Sequence, residues 1–170
     1  LVPFAIGSET WGSILGPSAN CGLTGFRPTY GRVSRHGAMA LSWTMDKLGP
    51  LCLTADDCGL VVSAIAGPDT NDRSAFNRDW HYETNPKRRR FRLGVLEGVR
   101  ERATDAVRDN FDKAIEALSP FADVEDVTIP DLPYIAVAQT IFQAESASAF
   151  EDLLRSDRMT ELTAEEDHYM

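Results

Sequence analysis

The stretch Gly7-Ser8-Glu9-Thr10-Trp11-Gly12-Ser13 gathers glycine and small hydroxyl residues into one short segment. Such residues permit tight backbone turns and leave amide N–H groups exposed. Successive N–H groups aimed at one point stabilise the oxyanion of a tetrahedral intermediate, an effect worth about 3 kcal/mol per donor. Ser13, directly after Gly12, would present its hydroxyl to the same point, as an acyl-transfer nucleophile must. On composition alone, a plain Gly/Ser turn or a phosphate-cradling loop is the stronger reading.

Few other side chains compete for a chemical role. Cys21, Cys52 and Cys58 form no C-x-x-C pair, and Cys21 reads as a small buried apolar residue with no base near it in sequence. His36, His81 and His168 lie far apart without zinc-type spacing, so no metal site is expected. Asp46, between Met45 and Leu48, reads as a loop anchor that accepts from backbone amides. Arg27 before Pro28 reads as a pin for the same loops, and Ser8, Ser18 and Thr29 as loop-bonding hydroxyls.

The longer string is more specific. Gly7 to Ile14, Cys21-Gly22-Leu23-Thr24-Gly25-Phe26-Arg27-Pro28-Thr29-Tyr30-Gly31-Arg32-Val33-Ser34 and Met45-Asp46-Lys47-Leu48-Gly49-Pro50 occur in one order and spacing. Together they resemble the amidase signature family, densely over residues 1 to about 70 and more loosely beyond. The resemblance implies an α/β fold, a mixed β-sheet flanked by helices, and a Ser–Ser–Lys hydrolase of amide C–N bonds. It places the acylated nucleophile at Ser13 and backbone oxyanion donors at Thr10, Trp11, Gly12 and Ser13. In the family a second serine relays the nucleophile's proton to a lysine, and both lie upstream. Only twelve residues precede Ser13, so this chain alone is expected to be an inactive fragment of one amidase domain. The requirement is chemical, because a serine hydroxyl is a poor nucleophile until a base takes its proton.

Nothing within the chain is expected to replace that relay. Lys47, Lys87 and Lys113 read as surface or packing lysines, and His36 sits in a Gly/Arg/Ser-rich stretch. Three positions depart from the common family pattern: Glu9 for aspartate, Trp11 for glycine and Leu15 for arginine. Glu9 keeps the charge and can still anchor the loop. A tryptophan would be strained at a positive φ, so Trp11 is expected to have ordinary backbone and an indole that shapes the acyl pocket or covers the loop. Leu15 removes a cation.

The elements that position these residues follow from pattern. The first fifty residues, rich in Gly, Ser, Thr and Pro, read as short strands and turned loops. The first clear helix is expected after Leu53, capped by Thr54 with Asp56 and Asp57 in its first turn. Its apolar face would be Leu60, Val61, Ala64 and Ile65, and Gly67-Pro68 would end it. A polar surface linker over 71–90 carries the basic cluster Lys87-Arg88-Arg89-Arg90, read as a solvated edge. Phe91–Leu96 and Val124–Ile129 read as strands around a helix from Thr104 to about Leu118, with Val107, Phe111, Ala114, Ile115 and Leu118 on its face. Strand, helix, strand at this spacing predicts parallel pairing in a βαβ unit. A last helix is expected over Tyr134–Leu154. The chain thus divides into a nucleophile-loop region (1–70), a linker (71–90) and a βαβ unit plus helix (91–170).

Composition bounds the partners. The chain has 170 residues, 43% of them hydrophobic, which is one domain's length with enough apolar content for a core. A formal net charge of -9 argues against nucleic acid or an anionic membrane as the main partner. No apolar run approaches the ~18 residues of a membrane span. Three cysteines leave one unpaired, which favours a reducing compartment, the cytoplasm. The partner expected is a small-molecule amide, with no cofactor, and a homodimer is left open. A non-catalytic or degenerate amidase-like assembly module is one alternative. The other is a glutamine amidase that resembles the A-type component of an amidotransferase.

Overall fold

The computed structural model describes residues 2–83 and 90–164. Lys87, Arg88, Arg89 and His168 lie outside the described residues. The described elements combine helices with both antiparallel and parallel strand pairs, so the chain is α/β. It divides into two units, Leu1–Tyr82 with Tyr134–Met170, and Glu83–Pro133. The final helix therefore groups with the N-terminal unit, whereas the division read from sequence joins it to the βαβ segment.

The first unit is built on β1 (Phe4–Glu9), β2 (Thr24–Gly25) and β3 (Lys47–Cys52). The sheet order is β1-β3-β2, both pairs antiparallel, with Glu9 opposite Lys47 and Gly7 opposite Gly49. The core beneath it holds Ile14, Val33, Cys52, Cys58 and Val62. Burial of Cys58, followed by its contact with Cys52, pushes its thiol up to about 12, which keeps it protonated and unreactive at neutral pH.

α1 (Leu15–Cys21) occupies a segment whose composition reads as loop. Its helix-breaking residues fall where they are tolerated. Pro17 lies in the first turn, where an N–H has no intrahelical partner, and Gly22 closes the helix at φ 65. Cys21, expected to be buried, is exposed at the end of this helix.

α2 (Ala55–Ile65) starts as expected, with Thr54 accepting from the Asp57 N–H at 3.1 Å. Its inward face differs. Cys58, Gly59 and Val62 are buried, whereas Leu60 is 54% exposed and Ala64 is also exposed. Cys58 and Val62 join the core, and Gly59 between them is required by close approach, because a Cβ there would collide with the Tyr82 ring.

Residues 69–82 form no helix or strand, yet they are pinned to the unit. Asp69 accepts from Ser34 Oγ at 2.6 Å. Asp72 accepts from the Arg35 N–H at 2.8 Å and from the N–H and hydroxyl of Ser74 at 2.9 and 2.6 Å. Chiefly through the Ser74 hydroxyl, and then the Arg35 amide, the Asp72 carboxyl is held down to about 2, below its ordinary 3.8. A depressed folded-state value stabilises the fold above the unfolded value, and the gain is lost as pH falls through the folded one. Asp72→Asn is therefore expected to lower stability at neutral pH and to flatten the loss between about pH 4 and pH 2. Thermal melts of both proteins across that window check it.

The second unit contains β4 (Phe91–Leu96), α3 (Asp105–Leu118) and β5 (Ala122–Val127). β4 and β5 pair in parallel, from Phe91 opposite Ala122 to Leu96 opposite Val127. The βαβ unit is present, and β4 has the expected bounds. β5 begins two residues earlier than its apolar run suggests. Thr104 occupies the N-cap position of α3 without a side-chain cap bond.

In the first unit, α4 (Tyr134–Ala149) and α5 (Glu151–Leu154) replace the single helix expected over 134–154. The chain leaves helical geometry at Phe150, φ -109 and ψ 16. No described helix is long and apolar enough to cross a membrane.

Candidate active site

β1 delivers the chain into a turn over residues 10–14 that leads straight into α1. Both ends of this turn are buried and anchored. At its start Thr10 donates through Oγ1 to Asp46 Oδ1 at 2.6 Å. The other oxygen of Asp46 accepts from the N–H groups of Leu41 and Ser42 at 2.8 and 3.0 Å. Lys47 Nζ donates to the Thr10 carbonyl at 3.0 Å. At its end Ile14 is fully buried, and its N–H and that of Leu15 donate to Glu9 Oε2 at 2.8 and 3.0 Å.

Glu9 is thus the cap that α1 lacks in its own sequence. The Ile14 N-cap offers no side-chain acceptor, and a fully buried carboxylate from the preceding strand takes its place. Arg27 Nη1 faces Glu9 Oε1 at 3.4 Å. The anchoring roles read for Glu9, Asp46 and Arg27 all hold in this geometry. Ser18 also bonds, but within the helix, donating to the Ile14 carbonyl at 2.7 Å. Among the described residues the hydroxyls of Ser8 and Thr29 have no such partner.

Between the two anchors, Trp11 and Ser13 are exposed and Gly12 is half-buried. Among the described residues, the N–H groups of Trp11, Gly12 and Ser13 have no hydrogen-bond partner, and neither has the Ser13 hydroxyl. No non-glycine residue has a positive φ, so the Trp11 backbone is ordinary, as expected. Gly12 is not at positive φ either, and a Cβ there would meet nothing within 4 Å. The turn can therefore place an exposed hydroxyl beside three consecutive unpaired amide donors.

Lys47 is a cation bonded to this turn, and it is committed to the Thr10 carbonyl. Its partial burial, then Arg27, lower its pKa, against the opposing pull of Glu9 and Asp46. It anchors the turn and does not contact the Ser13 hydroxyl. His36 lines a separate pocket of about 220 Å³ with Ser8, Arg35, Trp43 and Asp72. That pocket includes none of Thr10, Trp11, Gly12 or Ser13.

Sequence reasoning missed one supporting contact. Glu145 of α4 accepts from the N–H and hydroxyl of Thr44 at 3.0 and 2.8 Å, and from the Ser42 hydroxyl. These bonds hold its carboxyl below the usual range, with Ser42 the main cause. They clamp the loop that also carries Asp46, and no local pattern links residues so far apart.

The amidase family profile matches residues 1–169. The chain is 36% identical over 154 residues to the A component of glutamyl-tRNA(Gln) amidotransferase from Staphylococcus saprophyticus, covering 88% of this chain and 32% of that protein. The crystal structure of the corresponding amidotransferase component from Thermotoga maritima superposes with a TM-score of 0.78 at 32% identity, over 94% of this chain and 38% of the other. Native peptide amidase from Stenotrophomonas maltophilia gives a TM-score of 0.63 at 27% identity, over 88% and 33%. The chain spans about a third of the length of the curated relatives it matches. With the profile covering nearly every residue, the chain belongs to the amidase family, the amidase signature enzymes.

Proposed function

We propose that the protein carrying this chain hydrolyses the C–N bond of a small-molecule carboxamide, with Ser13 as the acylated nucleophile. The observation that carries this reading is the turn itself. An exposed serine ends a run of three consecutive amides without a partner among the described residues, held between the anchored Thr10 and Ile14. Family membership and the peptide amidase relative support the same chemistry.

In this reading Ser13 Oγ attacks the carbonyl carbon and its proton passes to a base outside this chain, a serine–lysine relay. The carbonyl oxygen takes up negative charge opposite the N–H groups of Trp11, Gly12 and Ser13, with Thr10 at the buried end of the same turn. These donors act because the turn is preorganised and needs no rearrangement as charge develops. The C–N bond breaks, the amine leaves with a proton returned by the relay, and water then cleaves the acyl ester. The three free cysteines, two of them buried, suit a reducing compartment, the cytoplasm.

A fluorophosphonate probe, which phosphonylates only activated serines, tests the assignment on the full-length protein. The adduct is expected on the peptide containing Ser13, read by mass spectrometry. An active enzyme that carries the adduct on another serine overturns the reading. The amidotransferase relatives favour a second reading, a glutamine amidase, which would use the same nucleophile.

A further inference from the structure

We propose that Trp11 and Leu15 restrict this site to carboxamides whose acyl portion is uncharged and apolar. The inference rests on Ser13 being the nucleophile and adds the substrate class. Trp11 precedes Ser13 by two residues and Leu15 follows it by two, and each is 44% exposed. Gly12 between them contributes no side chain. With Ile14 fully buried, the large exposed side chains that bracket the nucleophile along the chain are thus an indole and an isobutyl group.

The charges around the turn are balanced within the protein. Glu9 and Asp46 supply two carboxylates, and Arg27 and Lys47 supply two cations. Glu9 is spent on two amides and Arg27, Asp46 on three donors, and Lys47 on the Thr10 carbonyl. A carboxylate or ammonium on the acyl chain would lose water against Trp11 and Leu15 and find each of the four charged groups named here already paired. An alkyl or aryl group in the same place gains by leaving water.

The test uses the full-length protein and a pair of amides that differ only in charge. Pentanamide ends in a methyl group where glutaramate, the monoamide of glutaric acid, ends in a carboxylate. Glutamine adds an ammonium group. Ammonia release is expected to give kcat/KM for pentanamide about tenfold or more above those for glutaramate and glutamine. Leu15→Lys should narrow or reverse that ratio. The Leu15 backbone bond to Glu9 survives the change, and a thermal melt confirms the fold. Trp11→Ala should lower kcat/KM for pentanamide and benzamide about tenfold while leaving glutaramate less affected.

Wild-type preference for glutaramate or glutamine, no turnover of the apolar amides, or a ratio unmoved by both variants overturns the inference. Activity surviving in Ser13→Ala overturns the nucleophile assignment instead, so the two failures are distinct.

Discussion

Ser13→Ala is expected to lower turnover of any amide by about 10⁴- to 10⁶-fold while leaving stability within about 0.5 kcal/mol of wild type. The kinetic loss follows because the other hydroxyl of the turn, that of Thr10, is buried and already donated to Asp46. Water can use the remaining oxyanion donors, but without the covalent step and its base. Stability holds because the side chain is exposed and its hydroxyl has no partner among the described residues. Steady-state ammonia release and a urea titration of the full-length protein measure the two quantities. A large drop in stability would assign the serine a structural role in place of the chemical one.

Glu9→Ala is expected to show the reverse balance, a loss of about 2–5 kcal/mol in stability with turnover falling as a consequence. Glu9 is fully buried and its carboxylate satisfies the N–H groups of Ile14 and Leu15. Each orphaned buried amide costs about 1–3 kcal/mol. The Arg27 pair adds less, since that guanidinium is 45% exposed and stays hydrated when its partner is lost. Against a domain stability of about 5–15 kcal/mol, this is a large fraction. Glu9→Asp is expected to recover part of the loss, because the charge remains with a shorter reach. Urea midpoints of the two variants check the order. An unchanged Glu9→Ala midpoint would show that water replaces the carboxylate.

The two substitutions separate what the turn does from what holds it. The Ser13 hydroxyl and the amides of Trp11 to Ser13 have no partner among the described residues, while Glu9, Thr10, Asp46 and Lys47 anchor the turn that carries them. Those four anchors come from β1, the turn, the loop before β3 and the first residue of β3, and the β1–β3 register sets Glu9 opposite Lys47. The turn that carries Ser13 is therefore fastened across a strand pair, and the loop before β3 is fastened in turn by Glu145.

Local chemistry makes several elements legible. Thr54, Asp56 and Asp57 announce the start of α2, and alternation announces β4. The apolar spacing of 107–118 announces α3, because periodicity and capping act within a few residues. The parallel pairing of β4 with β5 follows from the length of the crossover between them.

Other features depend on partners that no local pattern names. α1 is hidden in the sequence because its composition disfavours a helix, and its cap is Glu9, a carboxylate from the strand before it. The inward face of α2 includes Gly59, which the apolar pattern does not mark, because contact with Tyr82 leaves no room there for a Cβ. The break at Phe150 carries neither proline nor glycine.

By itself, the sequence determined the nucleophile candidate, the glycine beside it and the family pattern, since chemistry requires those residue types at close spacing. Only the tertiary structure decided that the amides of Trp11, Gly12 and Ser13 stand unpaired while the next two are taken by Glu9. Which donor is free depends on every acceptor that folding brings within 3 Å, and those acceptors lie up to dozens of residues away.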